Sequence, residues 1–490
     1  MSKSTLIKGT FILTIAGFLT RILGFFYKIY LSNTLGSENL GIYQLIFPIY
    51  SLCFTIFASG IQTAISKLIA EKPDKNILKK GMTLSLTLAT LCSFLLYFNA
   101  DFLAAVVIKE PRCSILLKLI SVVFPFCSIT SCINGVYYGL KKTNVPAVTQ
   151  LIEQITRIIF SYLYIWYISP KKEDLSCEFA VLAIVIGETT SMIYNLVSLY
   201  FTKFHKEGLS SENHNLYHRL LIFAIPYTTT HLITSILHSL ESILIPNMLK
   251  ISGMTQKGSL SIYGILTGMS MSLLMFPSTI TNSLSVLLLP SVSEAKSSKN
   301  DSYISRATEN SIKYSLLIGL FCTATFLLFG TDFGMFFFSN ELSGTFLRNL
   351  SLLCPFLYLC TTLTSILNGI GKIHVTFKNT VFSLSLRVFL LLFLIPKYGI
   401  IGYFMALLFS QLLLTFLNIY CCKKYISFSF PTDKWIIFPS LILTFFGFFI
   451  RKIYILLLNH SSYNPIIPLG SCCMIYIIIY LSILYIKKIL

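Results

Sequence analysis

Charge is scarce in this sequence: only 12% of its 490 residues are Asp, Glu, Lys or Arg, and the acidic ones number 19. A chain so poor in charge cannot clothe a soluble surface, which excludes a water-soluble protein carrying a single anchor. No interval between its apolar runs is long enough to hold a soluble catalytic domain. DxD, HExxH and glycine-rich phosphate-loop motifs are all missing, so no residue is read as catalytic and the chain is not read as an enzyme. The thirteen cysteines stand mostly inside apolar segments, without metal-ligand or secreted-domain spacing. They read as small buried hydrophobes, including the doublets Cys421/Cys422 and Cys472/Cys473, and no metal or cofactor is expected. Lys3 and Lys8 precede an apolar run that lacks a small-x-small cleavage site, so that run reads as a retained helix.

What is present is apolar surface, with 55% hydrophobic residues and a mean hydropathy of +0.76. The expectation is an all-α polytopic membrane protein of about fourteen transmembrane helices. These fall near residues 10–32, 41–66, 81–100, 114–140, 145–168, 177–201, 220–247, 261–289, 314–331, 344–370, 374–396, 398–421, 435–458 and 466–486. The net charge of +19 follows topology, because Lys and Arg concentrate in the segments on the side of the N terminus. That bias predicts cytoplasmic placement of both termini and no nucleic-acid surface.

An internal repeat is detectable. Ser66-Lys67 and Lys79 recur as Ser293-Glu294 and Arg306, Asn134-Gly135 as Asn368-Gly369, and Arg157 as Arg387, at nearly the same spacing each time. That interval holds six spans, an even number, so the two units enter the membrane in the same direction. Two parallel six-helix lobes around a central cavity are expected, 1–212 and 213–425, with 426–490 as two additional C-terminal helices. Arg451 and Lys452 in that appendix read as an interface rather than a site. Pro48, Pro125, Pro226, Pro277 and Pro355 fall in or near span interiors, where a missing backbone hydrogen bond permits kinks.

Ionisable groups inside the spans mark the functional layer. Thr14, Gly17, Arg21, Gly24 and Lys28 share one face of the first helix, and Arg21 lies near its middle. A cation at that depth has to face protein or water, so this helix should line an aqueous cavity. Arg157 and Arg387 bring further cations to a similar depth, while Glu153 sits four residues before Arg157, as in a helical ion pair. Glu188 is mid-span, and His231, Thr234, His238 and Glu241 share a face of the seventh span. Arg21, Lys28, Arg157 and Arg387 are thus candidates for substrate binding. Glu188, Glu241, His231, His238 and Glu153 are candidates for ion coupling, with the choice of H+ or Na+ open. The excess of cations favours an anionic group such as phosphate or pyrophosphate, for which Arg offers a planar fork of donors.

Several stretches resemble a known family: Thr20-Arg21-x-x-Gly24-Phe25, Gly41-x-Tyr43-Gln44-x-x-Phe47-Pro48, Ala64-Ile65-Ser66-Lys67, Glu241-Ser242-Ile243-Leu244-Ile245-Pro246 and Pro290-x-x-Ser293-Glu294-Ala295. Together they are similar to the stage V sporulation protein B and polysaccharide-biosynthesis branch of the multidrug/oligosaccharidyl-lipid/polysaccharide exporter superfamily. The resemblance is strongest over residues 5 to 72. It implies two six-helix lobes that alternate access and move lipid-linked saccharide precursors across the bacterial cytoplasmic membrane. Lipid II flippases of that superfamily engage the substrate diphosphate with cavity arginines, and Arg21 best matches one. Lys28, and Glu241 where Asp is expected, depart from the pattern.

The reading is a flippase or exporter of an undecaprenyl diphosphate-linked oligosaccharide or peptidoglycan precursor, acting in spore cortex or envelope synthesis. Its expected partners are that lipid-linked saccharide, membrane lipids and enzymes of envelope synthesis. The alternatives are a cation-coupled multidrug antiporter, which calls for acidic dominance in the cavity, a membrane-embedded transferase, whose motifs are missing, and a non-transporting envelope-assembly scaffold.

Overall fold

A computed structural model describes residues 3–168, 177–202, 216–460, 466–487 and 489, and no strand occurs among them. Contacts gather the chain into two units, Met1–Gly264 and Ile265–Leu490. The expected lobe boundary at 212/213 lies outside the described residues.

In the first unit, α1 (Lys3–Phe54) turns at Gly36, whose φ of 74° and ψ of 172° suit a residue without a Cβ, so one long helix carries the first two expected spans. A π turn, Thr55–Ser59, passes the chain to α2 (Gly60–Glu71). α3 (Lys75–Phe102) is capped by Asp74, whose carboxylate accepts from the Asn76 N–H at 2.8 Å. α4 (Cys113–Ser121) and α5 (Phe124–Gly139) form one span bent by 44°, and Pro125 sits in the first turn of α5, where its missing N–H is harmless. α6 (Asn144–Ile168), α7 (Glu178–Phe201), α8 (Leu216–Ile251) and α9 (Gln256–Gly264) complete the unit.

The second unit opens with a π turn, Ile265–Ser270, and α10 (Met271–Met275), after which Pro277 starts α11 (Ser278–Ser297). α12 (Asp301–Phe338) is followed by α13 (Glu341–Leu350), α14 (Cys354–Gly369), α15 (Ile373–Tyr398), α16 (Ile400–Tyr425), α17 (Phe438–His460) and α18 (Ile466–Ile486). α17 and α18 pack on α12 through a core that includes Phe329, Leu443, Tyr476 and Tyr480. The hydroxyls of Tyr476 and Tyr480 donate to the Leu443 and Leu317 carbonyls at 2.7 and 3.2 Å. Arg451 of α17 pairs with Asp332 of α12 at 2.5 Å, the Tyr454 hydroxyl donates to the same carboxylate at 3.1 Å, and the guanidinium lies over the Phe329 ring. Arg451 therefore ties α17 to α12. Asp332→Ala leaves that guanidinium half-buried without its acid, and should lower stability by about 1 to 3 kcal/mol. Thermal unfolding in detergent reads this as a Tm drop of several degrees, with Asp332→Asn losing less.

Eleven helices among the described residues are long and apolar enough to span a membrane, or twelve with the bent pair, against the fourteen expected. The difference has physical causes. α1 merges two spans across Gly36, and α6, whose polar residues include Gln150, Glu153, Gln154 and Arg157, is not in that count.

The repeat is visible in hydrogen bonds as well as in sequence. α5 (Phe124–Gly139) and α14 (Cys354–Gly369) have the same length, and each carries proline in its first turn. Just before them, the Ser93 hydroxyl donates to the Ser121 carbonyl at 2.7 Å and the Thr323 hydroxyl to the Ser351 carbonyl at 2.9 Å, with the same offset between the two copies. After them, Lys141 holds a left-handed φ of 59° where its counterpart is Gly371 at 81°.

Candidate functional site

The polar stripe of α1 carries the first part of the site. Arg21 and Lys28 are both exposed, and neither has a hydrogen-bond or ion-pair partner among the described residues. At 100° per residue their face lies roughly opposite the exposed apolar arc of Ile15, Leu19 and Phe26, with buried Phe25 and Tyr27 between. The apolar arc meets hydrocarbon. The opposite arc, which carries two charges at membrane depth, has to meet water or an anion, because a cation in hydrocarbon costs several kcal/mol. Glycine keeps this face low. A Cβ on Gly17 would meet nothing within 4 Å, and one on Gly24 would meet only the Gln154 amide of α6 at 3.7 Å.

The second part is an acid pair around one arginine. Arg157 and Glu153 form the expected ion pair along α6, and both are mostly buried. Glu188 of α7, 8% exposed, faces the same pair and lies against the Cys127 thiol of α5, which is 3.4 Å from the Tyr50 hydroxyl of α1. Tyr27 and Tyr43 of α1 lie within electrostatic reach of Arg157, and the Tyr27 hydroxyl is 2.8 Å from that of Ser161. Two carboxyls thus share one guanidinium. If both were ionised the cluster would carry a net negative charge in a dry interior, so it balances with one proton or one monovalent cation.

The repeat supplies an internal comparison. Arg387 is the counterpart of Arg157 at the offset that relates α5 to α14, and Ser383 stands where the first copy has Glu153. The next helix pair, α7 and α16, is related by a slightly shorter offset, which its hydrogen bonds fix. Thr149 donates to Asn195 at 3.1 Å as Asn379 donates to Asn418 at 2.9 Å. Gly187 lies against Arg157 as Ser410 does against Arg387, whose Nε donates to the Ser410 Oγ at 2.7 Å. Glu188 therefore corresponds to Gln411, whose Nε2 lies 3.5 Å from the Phe356 carbonyl of α14. Both arginines are engaged inside their own helix pairs, but only the first copy has carboxyls at these two positions.

On α8, His238 Nδ1 is 3.6 Å from Glu241 Oε2, while His231 packs on the Tyr227 ring at 4.4 Å. The sequence placed these groups on one face, and the structure pairs two of them. Glu241 is buried and His238 exposed.

A third part, not anticipated from sequence, lies where α1 turns, α3 ends and α9 begins. Gly41 and Gly264 let α1 and α9 touch through backbone: a Cβ on Gly41 would fall 2.1 Å from the Leu260 carbonyl oxygen, and one on Gly264 would fall 2.1 Å from that of Ser37. Beside them the hydroxyls of Ser37 and Ser261 are 2.7 Å apart. Arg112 bridges Glu38 at 2.9 Å and Glu110 at 2.7 Å, Lys257 reaches Glu38 at 3.5 Å, and the Gln256 amide donates to Glu110 at 2.7 Å. Burial pushes the Glu110 carboxyl up, but Arg112 and Gln256 together outweigh it and hold the group below its ordinary value. Its contribution is therefore complete at neutral pH and is lost only as pH falls through that lowered value.

Residues 6–296 match the family described as polysaccharide biosynthesis protein. The chain is 26% identical to stage V sporulation protein B of Bacillus subtilis, over 100% of this chain and 97% of the relative. It is 24% identical to the lipid II flippase MurJ of the same organism, over 76% of this chain and 74% of the relative. The solved structure of lipid II flippase MurJ in an inward closed conformation superposes with a TM-score of 0.75 at 17% identity, covering 98% of this chain and 100% of that one. With a family match across more than half its length and a multi-pass helical fold, this chain belongs to the polysaccharide biosynthesis protein family.

Proposed function

We propose that this protein is a flippase that moves an undecaprenyl diphosphate-linked oligosaccharide or peptidoglycan precursor across the bacterial cytoplasmic membrane, with both termini cytoplasmic. The observation that carries this reading is the exposed polar stripe of α1, where Arg21 and Lys28 stand a helical interval apart with no acid to neutralise them among the described residues. Two such cations suit a diphosphate, which offers several oxygens and more than one negative charge. Arg157 and Arg387 act inside their helix pairs, and Glu153 and Glu188 hold the coupling H+ or Na+. His238 and Glu241 form a second polar contact on α8, beside the His231 ring. The names of the relatives, a sporulation protein and a lipid II flippase, support the substrate class.

Alternating access is assigned to the halves 1–212 and 213–425, with 426–490 as an added pair. By the repeat, α8 and α9 belong to the second half, yet they pack on α1 and α2. The contact of Gly41 with Gly264 is then the closed gate on the side remote from the termini.

Flipping of a labelled lipid-linked oligosaccharide in proteoliposomes tests the reading. Arg21→Ala and Lys28→Ala should each cut the rate by about ten- to a hundredfold, the worth of one charge-assisted hydrogen bond. Arg21→Lys should retain part of it. Unchanged rates in folded variants would remove the stripe from the mechanism.

A further inference from the structure

The second unit holds a cavity of about 660 Å³ that neither the stripe nor the acid pair uses. Lys313 of α12, Lys434 just before α17 and Lys487 just after α18 line it, so three separate elements each bring an ammonium group. Its acids among the described residues are Glu309 and Asp433. The Glu309 carboxylate already accepts from the Ser429 N–H and hydroxyl at 2.8 and 2.9 Å. With three lysines against two acids, the described lining is net positive.

The three lysines mark one membrane boundary. Lys313 and Lys434 precede the apolar runs of α12 and α17, and Lys487 follows that of α18. Trp435, which also lines the cavity and packs edge-on to Phe430 at 5.5 Å, is the residue type enriched at headgroup depth. Leu441 belongs both to this cavity and to a shallow apolar hollow of about 600 Å³ on the surface of α17, bordered by Ile442, Thr444, Phe445 and Phe446. A positive chamber at the boundary beside an apolar hollow of aliphatic and aromatic side chains matches one amphiphile, with a phosphate at one end and a hydrocarbon chain at the other.

We propose that this chamber binds the phosphate headgroup of an anionic membrane phospholipid, with one acyl chain lying in the hollow of α17. Basic pockets beside spans hold anionic headgroups through several lysines acting as point charges. The lipid would tie α17 and α18 to α12 at a site separate from the transport stripe, so its occupancy is measured without reference to transport.

The test uses the full chain purified in detergent, with bound lipid read by native mass spectrometry and stability by thermal unfolding. The added probes are phosphatidylglycerol, phosphatidylcholine and glycerol 3-phosphate. Phosphatidylglycerol should be retained and should raise Tm, while the zwitterionic lipid and the soluble phosphate should do neither. Lys487→Gln, at the end of the chain, should weaken phosphatidylglycerol binding about fivefold, and the triple Lys313→Gln, Lys434→Gln, Lys487→Gln tenfold or more. The triple Lys→Arg variant should keep most of the affinity, which separates loss of charge from loss of fold. Equal binding of phosphatidylcholine overturns the charge argument, equal stabilisation by glycerol 3-phosphate overturns the hollow, and unchanged binding in Lys487→Gln and the triple Gln variant overturns the site.

Discussion

Joining residues 37 and 261 by a disulfide is expected to stop transport. The Ser37 and Ser261 oxygens are 2.7 Å apart, so the double variant Ser37→Cys, Ser261→Cys places two thiols within bonding reach. Gly41 and Gly264 already press α1 and α9 together at backbone distance beside them. If this contact is the gate, oxidation locks it shut and flipping falls to the rate of empty vesicles, while reduction restores it. The Arg112 side chain is half-exposed, so its pair with Glu38 contributes only up to about 1 kcal/mol, whereas Arg112→Ala also leaves the buried Glu110 carboxylate without its cation and should cost more. Full activity in the oxidised protein would mean that this end does not open.

Glu188→Gln is expected to uncouple flipping from the ion gradient. It gives the first copy the amide that the second copy carries at the equivalent place, Gln411. With only Glu153 left beside Arg157 the charges balance without a proton or metal ion. One charge moved across 100 mV supplies about 2.3 kcal/mol, and the variant should lose that drive while retaining movement down the substrate's own gradient. Flipping rates with and without an imposed pH or Na+ gradient decide the matter. A gradient response equal to that of the native protein would place coupling elsewhere, with Glu241 and His238 next in line. Because the Glu110 carboxyl is held below its ordinary value, it does not supply a pH response near neutrality.

Much of this was legible in the sequence for a geometrical reason. Arg21 and Lys28 lie on one helix, so a period of 3.6 is enough to put them on a face, and the same holds for the Glu153 and Arg157 pair. The Arg157 and Arg387 correspondence could also be read, since it keeps the offset of α5 and α14. What could not be read depends on distant partners. Arg112 meets Glu38 and Gln256 meets Glu110 far along the chain, and no periodicity links them. The likeness of Glu188 to Gln411 was hidden because the connection before α7 is longer than that before α16, which shortens the offset between the copies from there on. The continuous helix through Gly36 was hidden as well. A polar stretch between two apolar runs reads as a loop, although here it continues the helix through a single residue of positive φ.

The central claim is that the paired cations of α1 recognise a diphosphate. The most direct measurement compares flipping of an undecaprenyl diphosphate-linked sugar with that of the monophosphate-linked sugar in proteoliposomes containing the native protein and the Arg21→Ala, Lys28→Ala double variant. The account predicts that the native protein moves the diphosphate lipid at least about tenfold faster, the worth of one further charge-assisted contact, and that the double variant loses this preference. Equal rates for the two lipids in the native protein, or a preference that survives in the double variant, would contradict it.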